Sequence, residues 1–323
     1  MKAIRFSQTG GPEVLHLEDV ELAPPGPGMV RVRHGAIGVN FIDTYHRSGL
    51  YPVPLPSGLG LEAAGIVEAL GEGVICVKEG DRVAYCSGPL GAYAQANNVI
   101  AERLVKLPPG VSDETAAASL LKGMTAQYLL KRTFAVRPGQ TILFHAAAGG
   151  VGLIACQWAK HLGAIIIGTV GSEEKVALAK ANGCSHVLNT RTDNWAAKLR
   201  EITNGEGVPA VYDSIGKDTF MASLDCLSVR GTMVSYGNSS GAVAPFEAGI
   251  LSAKGSLYLT RPTLMHYTRT AKELQETADD LFAVLASGAV AIAEPRRFAL
   301  ADARAAHEAL HSRATTGATI LIP

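Results

Sequence analysis

Long apolar runs are missing from this chain of 323 residues. No stretch approaches the length that crosses a bilayer, and the opening Met1-Lys2-Ala3-Ile4-Arg5-Phe6 has no signal-peptide core. The expectation is a cytoplasmic protein with no membrane partner. A surplus of either charge is missing too: 29 basic and 29 acidic side chains leave a formal net charge of zero. That balance offers no field for nucleic acid or for an anionic lipid surface. Paired cysteines are absent. Cys76, Cys86, Cys156, Cys184 and Cys226 are odd in number and never spaced C-x-x-C. This excludes a disulfide framework and a four-cysteine zinc site, and leaves thiols that act as small buried hydrophobes. Low-complexity segments and internal repeats are absent as well. What remains, 47% hydrophobic and 18% charged, describes a globular chain able to bury sizeable cores. Its length is more than one ordinary core takes, so two domains are expected.

The most informative stretch is Thr141-Ile142-Leu143-Phe144-His145-Ala146-Ala147-Ala148-Gly149-Gly150-Val151-Gly152. Ile142 to Phe144 reads as a strand buried on both faces. An apolar helical pattern (Val151, Leu153, Ile154, Ala155, Trp158, Leu162) follows the glycines at once. Strand, glycine turn and helix open a dinucleotide-binding βαβ unit. The turn must be tight and must let a pyrophosphate approach the first free N–H groups of the helix, where the helix dipole also favours an anion. The usual G-x-G-x-x-G stands here as a variant, Ala146 to Gly152. The second apolar run that the motif requires is present at Ala164 to Val170.

Residues 1–124 carry short β-type runs between Gly and Pro clusters, among them Val30 to Arg33, Gly65 to Leu70 and Asp81 to Tyr85. This reads as an all-β, turn-rich module with no long helix before about residue 112, where Ser112 can cap one. From about 121 helix and strand alternate. The sequence predicts helices over Leu121–Thr133, Glu174–Asn182 (closed by Gly183), Asn194–Thr203 and Thr219–Leu227. It predicts strands at His186–Leu188, Ala210–Asp213, Thr232–Tyr236 and Ser256–Leu259. Such alternation means an α/β, doubly wound parallel sheet. A long helix, Ala271–Ser287, and a β-type end, Ala318–Ile322, complete the chain. The tail reads as completing the N-terminal module, so the expected domains are 1–124 with 267–323, and an inserted 125–266.

An acid at the end of the second strand of such a unit holds a ribose without a 2′-phosphate. The sequence there is Thr169-Val170-Gly171-Ser172; Glu173 and Glu174 fall in the next helical turn, and Lys175 follows. Small residues with a nearby cation favour NADPH over NADH, the alternative for Lys175 being a solvated helix lysine. Spacing does not identify a second cation.

The Ala-Ala-Ala-Gly-Gly-Val-Gly fingerprint resembles that of the zinc-independent quinone oxidoreductases of the medium-chain dehydrogenase/reductase superfamily, which include ζ-crystallin. So do Gly35-Ala36-Ile37-Gly38-Val39-Asn40-Phe41-Ile42-Asp43, Gly60-Leu61-Glu62-Ala63-Ala64-Gly65, Gly80-Asp81-Arg82-Val83, Tyr212-Asp213-Ser214-Ile215-Gly216 and Ser312-Arg313-Ala314-Thr315. The similarity runs end to end. It implies a GroES-like, β-rich catalytic domain, an inserted Rossmann domain, an active cleft between them, and a homodimer. It also implies a cofactor site: Asn40, Asp43 and Tyr45 beside the nicotinamide; Tyr128 on the helix entering the cofactor domain; Gly149, Gly150, Val151 and Gly152 at the pyrophosphate. Gly171, Ser172 and Lys175 fall at the 2′-phosphate, with Arg313 as a second cation. Gly237 and Asn238 end a strand, and Thr260 and Arg261 follow the last one. The family often has a tyrosine stacked by the adenosine where this chain has Thr190, with Arg191 adjacent.

Zinc members of the superfamily take catalytic ligands from a Cys and a Gly-His-Glu stretch. These positions are Asn40 and Leu61 here, and the lobe region is reduced to Cys86-Ser87-Gly88-Pro89-Leu90-Gly91. Three metal ligands with an open place are not assembled. Without a Lewis acid the substrate must accept hydride readily, as a quinone does. Tyr45 and Tyr51 can line the quinone site and donate hydrogen bonds, although Tyr51 reads equally as wall packing beside Pro52. Asn40 can orient the carboxamide or a substrate oxygen. Two other readings stay open: reduction of α,β-unsaturated carbonyls, and a nucleotide-binding structural or RNA-binding role.

Overall fold

Alternation in Met29–Val39 puts Val30 and Val32 into a core with no exposed surface; the Pro and Gly cluster at 24–28 precedes the strand, and Asn40 ends it by starting a helix. The computed structural model describes residues 1–312 and 315–323. Two units emerge. The first is Met1–Lys122 with Thr268–Phe282 and Ile292–Pro323; the second is Gly123–Tyr267 with Ala283–Ala291. The expected tail segment 267–323 therefore divides. Ala291 joins the second unit because Gln157 of that unit accepts from its N–H at 2.9 Å and donates to its carbonyl at 3.1 Å.

In the first unit the elements up to residue 106 are β1 (Lys2–Phe6), β2 (His16–Asp19), β3 (Met29–Val39), α1 (Phe41–Ser48), β4 (Ser57–Gly58), β5 (Glu62–Leu70), β6 (Arg82–Tyr85), β7 (Ala96–Ile100) and β8 (Val105–Lys106). Strand β3 is the hub, pairing antiparallel with both β5 and β7. The α1 helix was not anticipated. Its eight residues are too few for periodicity to show, but the stop and start signals are legible: Asp43 three residues after Asn40, and Gly49 at a φ of 82°. α2 (Asp113–Gln127) opens where Ser112 Oγ accepts from Thr115 N at 3.0 Å. It runs unbroken into π-helical turns at Tyr128–Thr133, so the helix expected from Leu121 is the second half of a longer one.

The second unit contains β9 (Thr141–Phe144), α3 (Gly150–His161), β10 (Ile165–Val170), α4 (Glu174–Ala181), β11 (His186–Asn189), α5 (Trp195–Ile202), β12 (Val208–Asp213), α6 (Phe220–Asp225), β13 (Leu227–Ser235), α7 (Gly249–Ala253), β14 (Tyr258–Thr260) and α8 (Leu264–Tyr267). Its six strands are ordered β11-β10-β9-β12-β13-β14, and every pairing is parallel. Order therefore reverses between β9 and β12, the switch point where open parallel sheets bind ligands beyond their strand ends. The last strand begins at Tyr258 rather than Ser256. Ser256 has a φ of 55°, which extended backbone does not allow. The chain ends with α9 (Ala271–Ala286), β15 (Arg296–Ala299), α10 (Ala303–His311) and β16 (Thr319–Ile322), the last paired with β3.

Candidate active site

In the second unit the expected cofactor residues gather at the carboxyl ends of the parallel strands. The β9–α3 turn passes through Ala146, at a φ of 52°, and reaches Gly149 at the N-cap of α3. Gly149 N donates to Ala146 O at 2.8 Å and Ala147 N to Thr169 O at 2.9 Å, so the turn is tied to itself and to β10. The early N–H groups of α3, at Gly150, Val151 and Gly152, are left for an anion. Behind the turn lies a buried polar cluster. Asp213 accepts from Ile215 N (2.7 Å), Gly216 N (3.0 Å), Thr219 Oγ1 (2.8 Å) and Ser223 Oγ (3.2 Å). His145 bonds Ser223 Oγ and Thr169 Oγ1, and burial holds its imidazole below the usual range. His145 is thus a satisfied core histidine that braces the turn.

At the end of β10, a Cβ on Gly171 would meet nothing within 4 Å. Ser172 and Lys175 follow, the latter half-buried. Burial and the nearby positive Arg191 lower the Lys175 ammonium below its ordinary value, with Glu174 opposing. Arg191 reaches this place because Asn189, the last residue of β11, pairs with Val170, the last of β10. It is a cation beside Lys175 that spacing did not reveal. Thr190 turns its hydroxyl to Val170 O at 3.2 Å and offers no aromatic face. Farther along the sheet, Gly237 lies so close to Ser214 that a Cβ would come within 2.5 Å of its carbonyl oxygen. In the amide orientation that satisfies both neighbours, Asn238 donates to Gly237 O (2.9 Å) and accepts from Arg261 Nη2 (3.0 Å). Arg261 also donates to Ser235 O at 2.8 Å. Thr260 is the final residue of β14 rather than one beyond it. Tyr128 is buried and stacked on Tyr267 at 4.6 Å, and burial raises its phenol far above the usual range. Arg313 lies outside the described residues.

In the first unit Asn40 follows β3 and stands at the N-cap of α1. Its N–H donates to Asp43 Oδ2 at 2.8 Å and its Nδ2 to Glu62 Oε2 at 2.7 Å. Asp43, fully buried, also accepts from Tyr93 OH at 2.9 Å. Tyr93 OH bonds His307 Nε2 (3.0 Å), and Arg47 Nη1 lies 2.9 Å from His307 Nδ1. Arginine can only donate, so His307 accepts at Nδ1, carries its proton on Nε2, and the chain of donors runs toward Asp43. Tyr45 and Tyr51 meet edge to face with ring centres 5.2 Å apart. Tyr51 N donates to Tyr45 O at 3.0 Å, which ties the two main chains beside the ring contact.

Burial lifts Asp43 to about 7, against the pull of Asn40 N–H, Tyr93 and Lys122; Oδ1 has no partner among the described residues. A carboxyl whose folded pKa lies above its unfolded value stabilises the fold below the unfolded pKa. That stability is lost as pH rises through the folded one. Buried His34 and His307, lowered to about 4 and about 3, act oppositely, losing stability as pH falls below 6.5. Asp43→Asn isolates the carboxyl. The stability of the parent relative to this variant should fall on the order of 2 kcal/mol between pH 5 and pH 8. Urea unfolding at the two pH values measures it; a flat difference means the carboxyl does not titrate there.

A β-rich unit joined to a six-stranded dinucleotide-type sheet, with its glycine turn at the switch point, defines a protein of the medium-chain dehydrogenase/reductase class. Residues 26–130 match the alcohol dehydrogenase GroES-like domain and residues 150–283 the zinc-binding dehydrogenase family. The chain is 56% identical to a quinone oxidoreductase of Pseudomonas aeruginosa, over 100% of this chain and 99% of that protein. It is 47% identical to a 2-haloacrylate reductase of a Burkholderia species, over 97% and 96% of the two chains. The crystal structure of Escherichia coli quinone oxidoreductase complexed with NADPH superposes with a TM-score of 0.98 at 53% identity, covering 100% of both chains. The chain belongs to the quinone oxidoreductase family. Zinc, present in the name of one matching family, does not fit the donors here. Asn40 and Leu61 stand at the ligand positions, and no group of three or more His, Cys, Asp or Glu able to hold a metal occurs among the described residues.

Proposed function

We propose that the protein reduces quinones to hydroquinones with NADPH, without a metal. The observation that carries this is the end of β10. Gly171 opens onto free space and two cations, Lys175 and Arg191, stand where an acid would select an unphosphorylated ribose. The α3 N-terminus takes the pyrophosphate, and Gly237, Asn238, Thr260 and Arg261 line the ends of β13 and β14 beside it. Asn40, Asp43 and Tyr45 hold the nicotinamide, and Tyr128 stays at the wall of the cofactor unit. Bound NADPH supplies the hydride. The chain contributes position: the paired rings of Tyr45 and Tyr51 give a flat acceptor an aromatic wall and two hydroxyl donors for its oxygens. A quinone needs little further polarisation because the arriving charge spreads over its ring.

The 47% identity to a 2-haloacrylate reductase supports a second reading on the same site, reduction of an activated carbon–carbon double bond. Steady-state kinetics with NADPH and NADH against 1,4-quinones and enones separates the two. The expected result is a kcat/KM for quinones at least about tenfold above that for enones. Equal or greater enone turnover overturns the preference. The balanced charge supports a protein without a nucleic-acid partner, and cysteines that are all unpaired support the cytoplasm. The edge strand β14, with Tyr258 62% exposed, supports a homodimer, which sedimentation of the same preparation reads.

A further inference from the structure

Glu62, on β5, is fully buried and receives three donors. Asn40 Nδ2 lies at 2.7 Å from Oε2, Lys122 Nζ at 3.4 Å from the same oxygen, and Leu121 N at 2.7 Å from Oε1. Leu121 lies in the middle of α2, where a main-chain N–H ordinarily serves the helix itself. A carboxylate has entered the helical ladder. The space for it comes from Gly38 on the paired strand: a Cβ there would lie 2.1 Å from Glu62 Oε2 and 2.5 Å from Ala117 O. Burying a carboxylate with an ammonium is a poor way to gain stability, because desolvation offsets the attraction. The arrangement does something that an apolar pair cannot. A carboxylate only accepts, so it admits one orientation of the Asn40 amide, Nδ2 inward and Oδ1 away.

We infer that Glu62 is a positioning residue, which locks the Asn40 amide so that Oδ1 is presented as an acceptor to the carboxamide N–H of the nicotinamide. This rests on the reading that the nicotinamide docks on Asn40. Leu121 N holds Oε1 while Lys122 shares Oε2 with Asn40, so that the carboxylate does not swing with the ligand. A glutamine at 62 presents either an oxygen or an amino group to Asn40, and both amide orientations become available.

Binding titrations with NADPH and with adenosine 2′,5′-bisphosphate, which lacks the nicotinamide half, test the inference. Glu62→Gln should weaken NADPH about tenfold and leave the bisphosphate within about twofold, as expected for one lost hydrogen bond. Asn40→Ala should do the same, and the double variant should lose nothing more. An equal loss for both ligands, or additive losses, overturns the positioning role. A parent that gains nothing from the nicotinamide half, or an Asn40→Ala variant that keeps the whole gain, overturns the docking on which it rests. A measurement on the parent chain covers the case of an unstable variant. In protein labelled with 15N-asparagine, one Asn40 Nδ2 proton should be shifted downfield and protected from exchange. Two equivalent, fast-exchanging protons overturn the inference.

Discussion

Lys175→Ala should raise the Kd for NADPH about 10- to 100-fold and change that for NADH by no more than about twofold. A hydrogen bond between an ammonium and a phosphate contributes about 1.5–3 kcal/mol, and about 1.4 kcal/mol is tenfold in affinity. Lys175 is suited to the upper part of that range because it is half-buried, which limits screening by water. Its positive neighbour Arg191 makes the apo site unfavourable for the ammonium, and a bound dianion removes the repulsion. Arg191 is exposed, so Arg191→Ala should cost less, about three- to tenfold, and that share should shrink as salt rises. Titrations with both reduced nucleotides at two ionic strengths check this. An unchanged NADPH-to-NADH ratio in Lys175→Ala would remove the 2′-phosphate from this corner.

This corner shows what a sequence discloses and what it withholds. The absence of an acid after Val170 is readable, because strand, glycine turn and helix fix where the second strand ends. Lys175 is readable for the same reason, being one helical turn farther on. Arg191 is not, since its nearness to Lys175 depends on β11 pairing with β10 in one register. The six strands and their winding follow from alternating periods of two and 3.6, and only their ends were off. Ser256 carries no local mark of its left-handed backbone. In the first unit Asn40, Asp43 and Tyr45 came from resemblance to a family, not from pattern. Asn40 is held by Glu62 and Asp43 by Tyr93, in a network whose Arg47 to His307 contact spans 260 positions in sequence. Periodicity has nothing to say about contacts at that separation.

Gly152→Ala should abolish measurable NADPH binding, with a loss beyond about 100-fold, and lower stability by about 1–3 kcal/mol. The glycine is needed for close approach, not for its φ. A Cβ would stand 2.3 Å from Ala146 O and 2.8 Å from Ala147 C and Cα, all main-chain atoms that no rotamer change can clear. Ala146 is already left-handed and tied to Gly149 N, so the turn has little slack toward the sheet. The other way out moves the start of α3, whose buried Ala155, Cys156, Trp158 and Ala159 then shift in the core. Either movement takes the free N–H groups away from the phosphate position. Gly171→Ala separates binding from stability at a neighbouring turn. Apart from its chain neighbours the new methyl meets no protein atom within 4 Å, so unfolding should change by less than about 0.5 kcal/mol. If that space receives the phosphorylated ribose, NADPH affinity should still fall several-fold. Normal binding by Gly171→Ala would place the ribose elsewhere, and normal binding by Gly152→Ala would remove the pyrophosphate from the turn. Thermal unfolding and nucleotide titration of both variants decide the two points independently.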